Sequence, residues 1–198
     1  MPRTIVRAGA VAGVLFIAAS SAALAGEPLK AGTSTQHVRA GEKTKVWGDA
    51  PGKFVRFQTL SEGRWSTLER TRARDNGRFV LRARLETPTS AKTRVLSAGR
   101  TKKTGRLNVY RPALASWYGP GLYGNPLGCG GTLQYGTIGV AHKSLPCGTK
   151  LTIKHGKHEV RARVIDRGPY SGTREFDLTE ATARRLHFSG VGTILTTR

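Results

Sequence analysis

The fold of this chain is decided by residues 115–179, in which four short blocks stand out. They read ASWYGPG at 115–121, VAHKSLP at 140–146, VIDRGPY at 164–170 and FDLT at 176–179. Each block joins apolar residues to glycine, proline or a hydroxyl-bearing residue, which is typical of short β-strands that end in tight turns. The sequence therefore predicts an all-β unit around this stretch.

One short helix is predicted near the end of this unit. It begins after Thr179, which suits the N-cap position, and has Glu180 in its first turn. Arg184 and Arg185 lie toward its C-terminus, so that the charges at both ends complement the helix dipole. A β-hairpin is predicted over residues 150–165.

Acid–base chemistry in residues 113–198 has few candidate groups. The region contains five carboxylates: Glu159, Asp166, Glu175, Asp177 and Glu180. Two of them have simple structural explanations, since Glu180 suits the helix N-terminus and Glu159 lies mid-hairpin among basic residues. Asp166 ends an apolar strand and enters a Gly-Pro turn, a place where catalytic groups often lie.

Structural roles also fit the best candidates. The carboxylate of Asp166 could accept the N–H of Gly168 in an Asx-turn, and Asp177 could cap the helix that follows it. His142 follows two apolar residues and could be a core histidine whose polar atoms are satisfied. Both interpretations of each residue are open at this stage.

The first 25 residues have the composition of a signal peptide. Arg3 and Arg7 are basic, residues 8–19 are largely apolar, and ALA at 23–25 supplies the small-x-small pattern of a cleavage site. The apolar run is short for a membrane span. The sequence therefore predicts cleavage after Ala25 and a secreted protein, extracellular or associated with the cell wall.

The two cysteines, Cys129 and Cys147, lie inside the same unit. In an exported protein such a pair most simply forms a disulfide, worth roughly 3 kcal/mol through loop closure. The alternative is a metal site that also uses His142, His155 or His158. No Cys-x-x-Cys or His-x-x-x-His spacing supports it, so we predict a disulfide and no metal or other cofactor.

The N-terminal part of the chain has a different pattern. Residues 26–35 are rich in glycine, serine and threonine without periodicity, and we interpret them as a linker. Short strands follow: over 78–85, for example, apolar and basic residues alternate with period two. The sequence predicts an immunoglobulin-like β-sandwich over 36–111 that ends before Pro112, because proline is poor inside a central strand.

The chain is strongly basic, with 33 Lys and Arg against 12 Asp and Glu and a formal net charge of +21. Residues 26–112 carry a net +13 and residues 113–198 a net +6. Any single arginine is explained as part of a solvated surface that keeps the protein soluble. A whole row of arginines on one face instead favours adhesion to an anionic wall polymer. The row consists of Arg70, Arg72, Arg74, Arg78, Arg82 and Arg84. Nucleic acid is the second choice, since the export signal and the lack of a reading motif count against it.

The four blocks, in this order and spacing, resemble the rare lipoprotein A (RlpA) family of double-psi β-barrels, a fold shared with barwin and the first domain of expansins. The resemblance covers about residues 114–197, and a secreted basic module ahead of such a barrel is similar to actinobacterial members. It implies a six-stranded barrel over 113–198 and action on bacterial peptidoglycan. Characterised relatives are lytic transglycosylases that cleave glycan strands stripped of stem peptides.

The resemblance also implies roles for particular residues. His142 and Asp166 match the family's histidine and aspartate, and Asp177 matches an aspartate that expansin-like proteins need. These three are the candidate catalytic residues. The family's glutamate, eleven residues before the histidine, is replaced here by Gly131.

Substrate binding is assigned to Tyr118, Tyr123, Tyr170 and Arg167. The tyrosine rings could stack on sugars or, alternatively, pack in the core. Trp117 and Tyr118 are neighbours on one strand and therefore point in opposite directions. We predict that Tyr118 faces the substrate and Trp117 the core.

Two functions of different classes follow. The preferred one is a secreted lytic transglycosylase that acts on peptidoglycan glycan strands, with Asp166 as the acid–base group assisted by His142 and Asp177. The other is an expansin-like protein that binds and loosens wall polysaccharide without cleaving it, which Gly131 favours. A secreted nucleic-acid binder is a weaker third.

Overall fold

The structure is a computed structural model that describes residues 27–61 and 63–198. The predicted signal peptide, residues 1–25, lies outside the described residues. The described chain is mostly β-strand with one α-helix, which confirms the predicted all-β class. No helix in this part of the chain is long and apolar enough to span a membrane.

The first eight strands form two sheets that share a core. They are β1 (Lys30–Thr33), β2 (His37–Arg39), β3 (Lys43–Asp49), β4 (Phe54–Ser61), β5 (Arg64–Arg72), β6 (Arg78–Arg84), β7 (Thr89–Ser97) and β8 (Arg100–Tyr118). Strands β1, β3 and β6 form one sheet, and β5, β4, β7, β8 and β2 form the other. Val46 of the first sheet is buried in one cluster with Phe57, Val95 and Val109 of the second. We call this part the sandwich; its immunoglobulin-like topology stays a prediction.

Strand β6 shows the predicted alternation. Phe79 and Leu81 are buried, whereas Arg78, Arg82 and Arg84 are exposed. Lysines of the neighbouring strand β3 lie opposite two of these arginines and extend the basic surface. The period-two pattern therefore identifies the solvent face of this sheet, while the partner of that face stays a prediction.

Residues 30–33 are not the predicted linker, because they form strand β1 against β3. Gly48 makes this pairing possible: a Cβ there would lie 1.9 Å from the carbonyl oxygen of Lys30. The pairing is made by backbone groups at a sheet edge, so the side chains of a glycine- and threonine-rich segment show no periodicity that predicts it.

The remaining elements close a second unit, which we call the barrel. They are β9 (Val140–His142), β10 (Lys150–His155), β11 (His158–Asp166), β12 (Phe176–Thr179), α1 (Glu180–Leu186) and β13 (Gly192–Thr196). The strand order β8-β12-β9-β11-β10-β13 returns to β8 and so closes six strands. Val140, Ile153, Phe176 and Leu178 are fully buried inside. Thr179 caps the helix as predicted, accepting a hydrogen bond from the N–H of Thr182.

Pro112 does not end a strand, contrary to the predicted boundary, because β8 runs through it from the sandwich into the barrel. The carbonyls of Tyr110 and Leu114 accept hydrogen bonds from the N–H groups of Ala40 and Glu175, on the side of β8 away from β13. Alternate residues of a strand point their backbone groups to the same side, so the nitrogen of Pro112 faces that side too. On that side, strand β2 has already ended and strand β12 has not yet begun. No neighbouring strand therefore needs an N–H donor from residue 112, which proline lacks.

Glu159 joins the sandwich to the barrel. Its carboxylate accepts a 2.6 Å hydrogen bond from the hydroxyl of Tyr110 and lies 2.9 Å from Nδ1 of His37. Burial, followed by this hydrogen bond and the charge of Glu159, raises the pKa of Tyr110 well above its usual range. The mid-hairpin position of Glu159 is as predicted, but its partners come from the other unit rather than from neighbouring basic residues.

Candidate active site

Three neighbouring barrel strands bring the two predicted aspartates onto one face. Ala141 of β9 lies opposite Asp166 of β11 on one side and opposite Asp177 of β12 on the other. Ser116 of β8 lies opposite Asp177. Residues paired across strands share a face of the sheet, so these four form one line, which we call the acidic row. From the strand spacing, the Cα atoms of the two aspartates are roughly 9 to 10 Å apart.

A β-bulge places Asp166 in this row. The register of β11 against β9 shifts between Val164 and Asp166, which makes Ile165 the extra residue. In a regular strand Asp166, two residues after the buried Val164, would point to the core. Bulges commonly re-aim a side chain in this way. The bulge also requires a glycine at position 139. A Cβ there would clash with the side chain of Ile165, whereas the glycine leaves room for it.

The carboxylate of Asp166 is held at one oxygen. Oδ1 accepts hydrogen bonds from the backbone N–H groups of Gly128 (2.7 Å) and Arg167 (2.8 Å). Among the described residues, the hydroxyl of Tyr118 also acts on this carboxylate, without the geometry of a full hydrogen bond. The alternative role of Asp166, an Asx-turn in which its carboxylate accepts the N–H of Gly168, is not observed. The carboxylate accepts the N–H of Arg167 instead. A Cβ at Gly128 would lie 3.0 Å from Oδ1, so a glycine allows this close approach.

Tyr118 supplies a hydroxyl beside both aspartates. It lies two residues after Ser116 on β8 and therefore on the face of the acidic row. The hydroxyl is buried and makes no hydrogen bond with the described residues. Burial first, then the charge of Asp166 and the proximity of its carboxylate as a hydrogen-bond acceptor, and last the charge of Asp177 raise the pKa of Tyr118 well above its usual range. A buried hydroxyl without a partner costs about 1–3 kcal/mol, which a bound ligand would offset.

Asp177 is positioned by side chains and not by the helix. The hydroxyl of Ser116 donates a hydrogen bond to Oδ1 of Asp177 and accepts one of 2.9 Å from Arg174. The alternative role as a helix cap is not observed, since Thr179 has that role. Glu175, two residues earlier, pairs with Arg111 at 2.7 Å outside the row.

His142 lies at the end of β9 on the opposite face from Ala141. Its ring contacts the buried Phe176, with ring centroids 4.8 Å apart. Its Nδ1 accepts the backbone N–H groups of Ser144 (3.1 Å) and Leu145 (3.0 Å), so the neutral ring carries its proton on Nε2. The structure therefore brings Asp166 and Asp177 together with Tyr118, while the side chain of His142 lies on the other face of β9, against Phe176.

Protonation of His142 is opposed by its surroundings. Burial lowers the pKa of His142; the charge of Glu175 opposes this change, and nearby cations headed by Arg111 reinforce it. A second proton on Nδ1 would also displace the two backbone donors. His142 can therefore donate a hydrogen bond through Nε2 at neutral pH, but it is a poor source of a full proton.

Acidification is expected to destabilise the protein through His142. Because its folded pKa lies below the unfolded value of about 6.5, its contribution to stability is complete above that pH. The contribution is lost as the pH falls through the unfolded pKa to the folded one. The comparison is urea unfolding of wild type and His142→Asn at pH values above and below 6.5; the asparagine oxygen can accept the same two N–H groups. An equal loss of stability in both proteins on acidification would contradict this assignment.

The predicted substrate-binding residues differ in their surroundings. Tyr170 is 81% exposed and Tyr123 38% exposed, and the hydroxyl of Tyr123 donates a hydrogen bond to Glu180. The guanidinium of Arg167 instead donates to the backbone carbonyls of His142 and Leu145 and contacts Sγ of Cys147. Arg167 thus organises the loop behind Asp166, and the two tyrosine rings remain the surfaces available for sugars.

Trp117 is not in the core as predicted, since 36% of its surface is exposed. It lies opposite the buried Leu178 on the side of β8 away from the acidic row. Tyr118 lies on the face of the acidic row, and its contact with substrate stays a prediction. The alternation of the strand places the two rings on opposite faces as predicted, but it does not give the depth at which Trp117 lies.

Gly131, at the family's glutamate position, has a positive φ of 78° and open space where a Cβ would be. L side chains rarely adopt this backbone conformation, so the loop is shaped for glycine. A glutamate at this position would be strained although there is room for it.

The two cysteines form the predicted disulfide, with Cα atoms 5.6 Å apart. Cys129 follows Gly128, whose N–H binds Asp166, and Cys147 lies against Arg167. The disulfide therefore fixes both loops that hold the carboxylate. In the described residues no group of three or more His, Cys, Asp or Glu side chains could hold a metal ion.

Ser116 and Arg174 are the residues of this site that the sequence analysis missed. Ser116 lies in the first block, ASWYGPG, next to Trp117. Because neighbouring strand residues point to opposite faces, this position predicts that Ser116 faces away from the core, on the side where the structure pairs it with Asp177. Arg174 lies outside the blocks and has no such signal. Cavities of 460 to 780 Å³ lie elsewhere in the molecule, and none of these includes the acidic row.

Comparison with known proteins finds relatives of the barrel. Residues 112–196 match the double-psi β-barrel family model described as lytic transglycolase. A probable endolytic peptidoglycan transglycosylase RlpA of Synechocystis is 38% identical over 85 residues, which cover 41% of this chain and 26% of that protein. The endolytic peptidoglycan transglycosylase RlpA of Campylobacter jejuni is 38% identical over 82 residues, covering 40% and 30%.

These matches are partial. The aligned part spans about a quarter to a third of the length of these curated relatives. A crystal structure of a Bacteroides thetaiotaomicron protein of unknown function covers 71% of this chain and 36% of its own, at 14% identity and a TM-score of 0.33, too low to bear on the fold. The family match, the closed six-stranded barrel and the four sequence blocks agree, and residues 112–196 belong to the RlpA-like double-psi β-barrel family.

Proposed function

We propose that this protein is an exported lytic transglycosylase that cleaves the glycan strands of peptidoglycan at the acidic row. The observation that carries the proposal is the carboxylate of Asp166, held at Oδ1 by two backbone N–H groups, on one face with Asp177 and beside the buried hydroxyl of Tyr118. Relatives of the barrel are named as enzymes of this class.

Asp166 has the central role in this mechanism. Its Oδ2, when protonated, donates the proton to the glycosidic oxygen as the bond between that oxygen and the anomeric carbon breaks. The 6-hydroxyl of the same sugar then attacks the anomeric carbon and gives its proton to Asp166. The products are a free hydroxyl end and a 1,6-anhydro end, without consumption of water, and Asp166 is again protonated.

The neighbouring residues stabilise and orient the sugar. Tyr118 stays neutral because its pKa is raised, and it can donate its unpaired hydroxyl hydrogen bond to a sugar oxygen. Asp177, oriented by Ser116, supplies negative charge near the positive charge that develops at the anomeric carbon. His142, on the other face of β9, contributes by accepting the N–H groups of Ser144 and Leu145 and so shaping the loop that follows β9.

The second candidate is an expansin-like protein that binds the glycan without cleaving it. The backbone of Gly131 favours this alternative, because a loop shaped for glycine supplies no carboxylate at the family's glutamate position. The two candidates differ in whether a covalent bond is broken.

A product assay distinguishes them. The protein without residues 1–25 is incubated with glycan strands stripped of peptides, and the soluble fraction is analysed by mass spectrometry for 1,6-anhydro-muramyl ends. Transglycosylation gives these ends in proportion to enzyme and time. If the protein pellets with insoluble wall material but releases no such ends, the binding function replaces the enzymatic one.

A further inference from the structure

A basic groove lies between the sandwich and the barrel, and none of the residues of the acidic row lines it. Its volume is about 780 Å³. Its charged lining comes from both units: Lys92 and Arg106 from the sandwich, and Lys150, Arg161 and Arg163 from the barrel, with Arg198 also in contact. We call it the junction groove. The described residues that line it include no acidic side chain.

The strand registers place these cations on two facing walls. Lys92 lies opposite Arg106 in the β7–β8 pair, and Lys150 lies opposite Arg163 in the β10–β11 pair. Arg161 is two residues before Arg163 and shares its face. The hydroxyls of Ser90 and Thr152, 3.3 Å apart, join the two pairs of strands at the bottom of the groove.

This arrangement is unfavourable in the absence of an anion. Like charges directly opposite each other in a sheet repel, and here two such pairs face one groove. A 3.0 Å hydrogen bond to the carbonyl of Ser90 holds Arg106 at this position on the wall. Burial and the nearby charge of Arg161 lower the pKa of Arg106 from its usual value. An anion bound between the walls would remove this repulsion.

The chemistry of the lining selects among anions. Arginine presents a planar set of donors that matches phosphate oxygens, and three arginines project from the two walls. The side chains that line the groove include no aromatic ring on which a nucleic-acid base could stack, although such rings are the usual platform for single strands. The lining thus fits a chain of phosphates that carries no bases.

We propose that the junction groove binds a linear, base-free phosphodiester polymer, such as a polyol phosphate chain, with successive phosphates held between Arg106 on the sandwich and Arg161 and Arg163 on the barrel. The binding is independent of glycan cleavage, since the groove and the acidic row share no residue. It differs from general adhesion through basic strand faces, because it depends on cations of both units around one cavity.

The test measures binding of synthetic poly(glycerol phosphate) by isothermal titration calorimetry at near-physiological salt. The protein without residues 1–25 is compared with Arg161→Gln/Arg163→Gln and with the control Arg56→Gln/Arg64→Gln, which removes two exposed arginines of β4 and β5 that belong neither to the groove nor to the basic row of Arg70 to Arg84. Both variants lose the same net charge. The groove variant is expected to bind roughly tenfold more weakly or worse, and the control within about twofold of wild type.

Other outcomes would overturn the proposal. An equal loss in both variants would mean that only total charge matters, and the absence of saturable binding would remove the site. Tighter binding of single-stranded DNA with the same number of phosphates would assign the groove to nucleic acid instead. Circular dichroism and thermal unfolding check that each variant is folded. Lys92→Gln/Lys150→Gln, with Lys102→Gln/Lys103→Gln on the exposed part of β8 as its control, repeats the comparison with other residues of the same walls.

Discussion

Asp166→Asn is expected to lower the release of 1,6-anhydro ends by roughly a hundredfold or more, because the amide cannot deliver or accept the proton that the reaction moves. The amide oxygen can still accept the hydrogen bonds of Gly128 and Arg167, so the loop that Asp166 organises should keep its shape. A large loss of activity with an unchanged thermal unfolding curve is therefore the expected result. The rate is measured by mass spectrometry of soluble products.

The control for this variant is Asp75→Asn, the same chemical change at an exposed turn of the sandwich. It should retain wild-type activity. Activity of Asp166→Asn equal to that of wild type would remove Asp166 from the mechanism. Binding of denuded glycan should be nearly unchanged in Asp166→Asn, which separates a lost proton transfer from a lost contact.

Removal of the disulfide is expected to destabilise the barrel by about 3 kcal/mol, since it closes a loop between residues 18 apart in sequence. The variant is Cys129→Ser/Cys147→Ser, and the measurement is the midpoint of urea unfolding. Activity should fall as well, because Gly128 and Arg167, which hold Oδ1 of Asp166, lie directly against the two cysteines.

A reducing agent gives an independent test of the same prediction. The chain has two cysteines, so reduction acts on this bond alone. Reduced wild type should unfold at the same urea concentration as the double variant, and the reducing agent should not change the double variant. Identical unfolding of oxidised and reduced wild type would contradict a stabilising role.

The sequence predicted those features that depend on local pattern. Alternation over 78–85 identified the solvent face of β6, and the hydroxyl and charges around Thr179 identified the helix. The barrel was expected from the resemblance of the four blocks to a known family, and two of those blocks contain the aspartates that the structure places on one face, whose catalytic role stays a prediction. Each of these signals lies within a few consecutive residues, where the geometry of a strand or helix start fixes which side chains face solvent.

The features that the sequence did not predict depend on pairing between distant segments. The face on which Asp166 lies is set by the bulge at Ile165, and that bulge exists only in the register of β11 against β9. Strand β1 is recognised only through its partner β3, and the continuation of β8 through Pro112 depends on where β2 and β12 end. Such registers are long-range properties of the sheet and leave no short-range pattern.

The continuous strand β8 has a consequence for dissecting the protein. A fragment that starts at residue 112 keeps most of the barrel ladders but cuts this strand in the middle, loses the pairing of Arg111 with Thr196, and discards Tyr110 and His37. Glu159 would then lose the hydrogen bond from the Tyr110 hydroxyl and the neighbouring imidazole of His37, and its carboxylate would face water where the sandwich had been. The two units are therefore better regarded as one cooperative body, whose halves are expected to melt in a single transition.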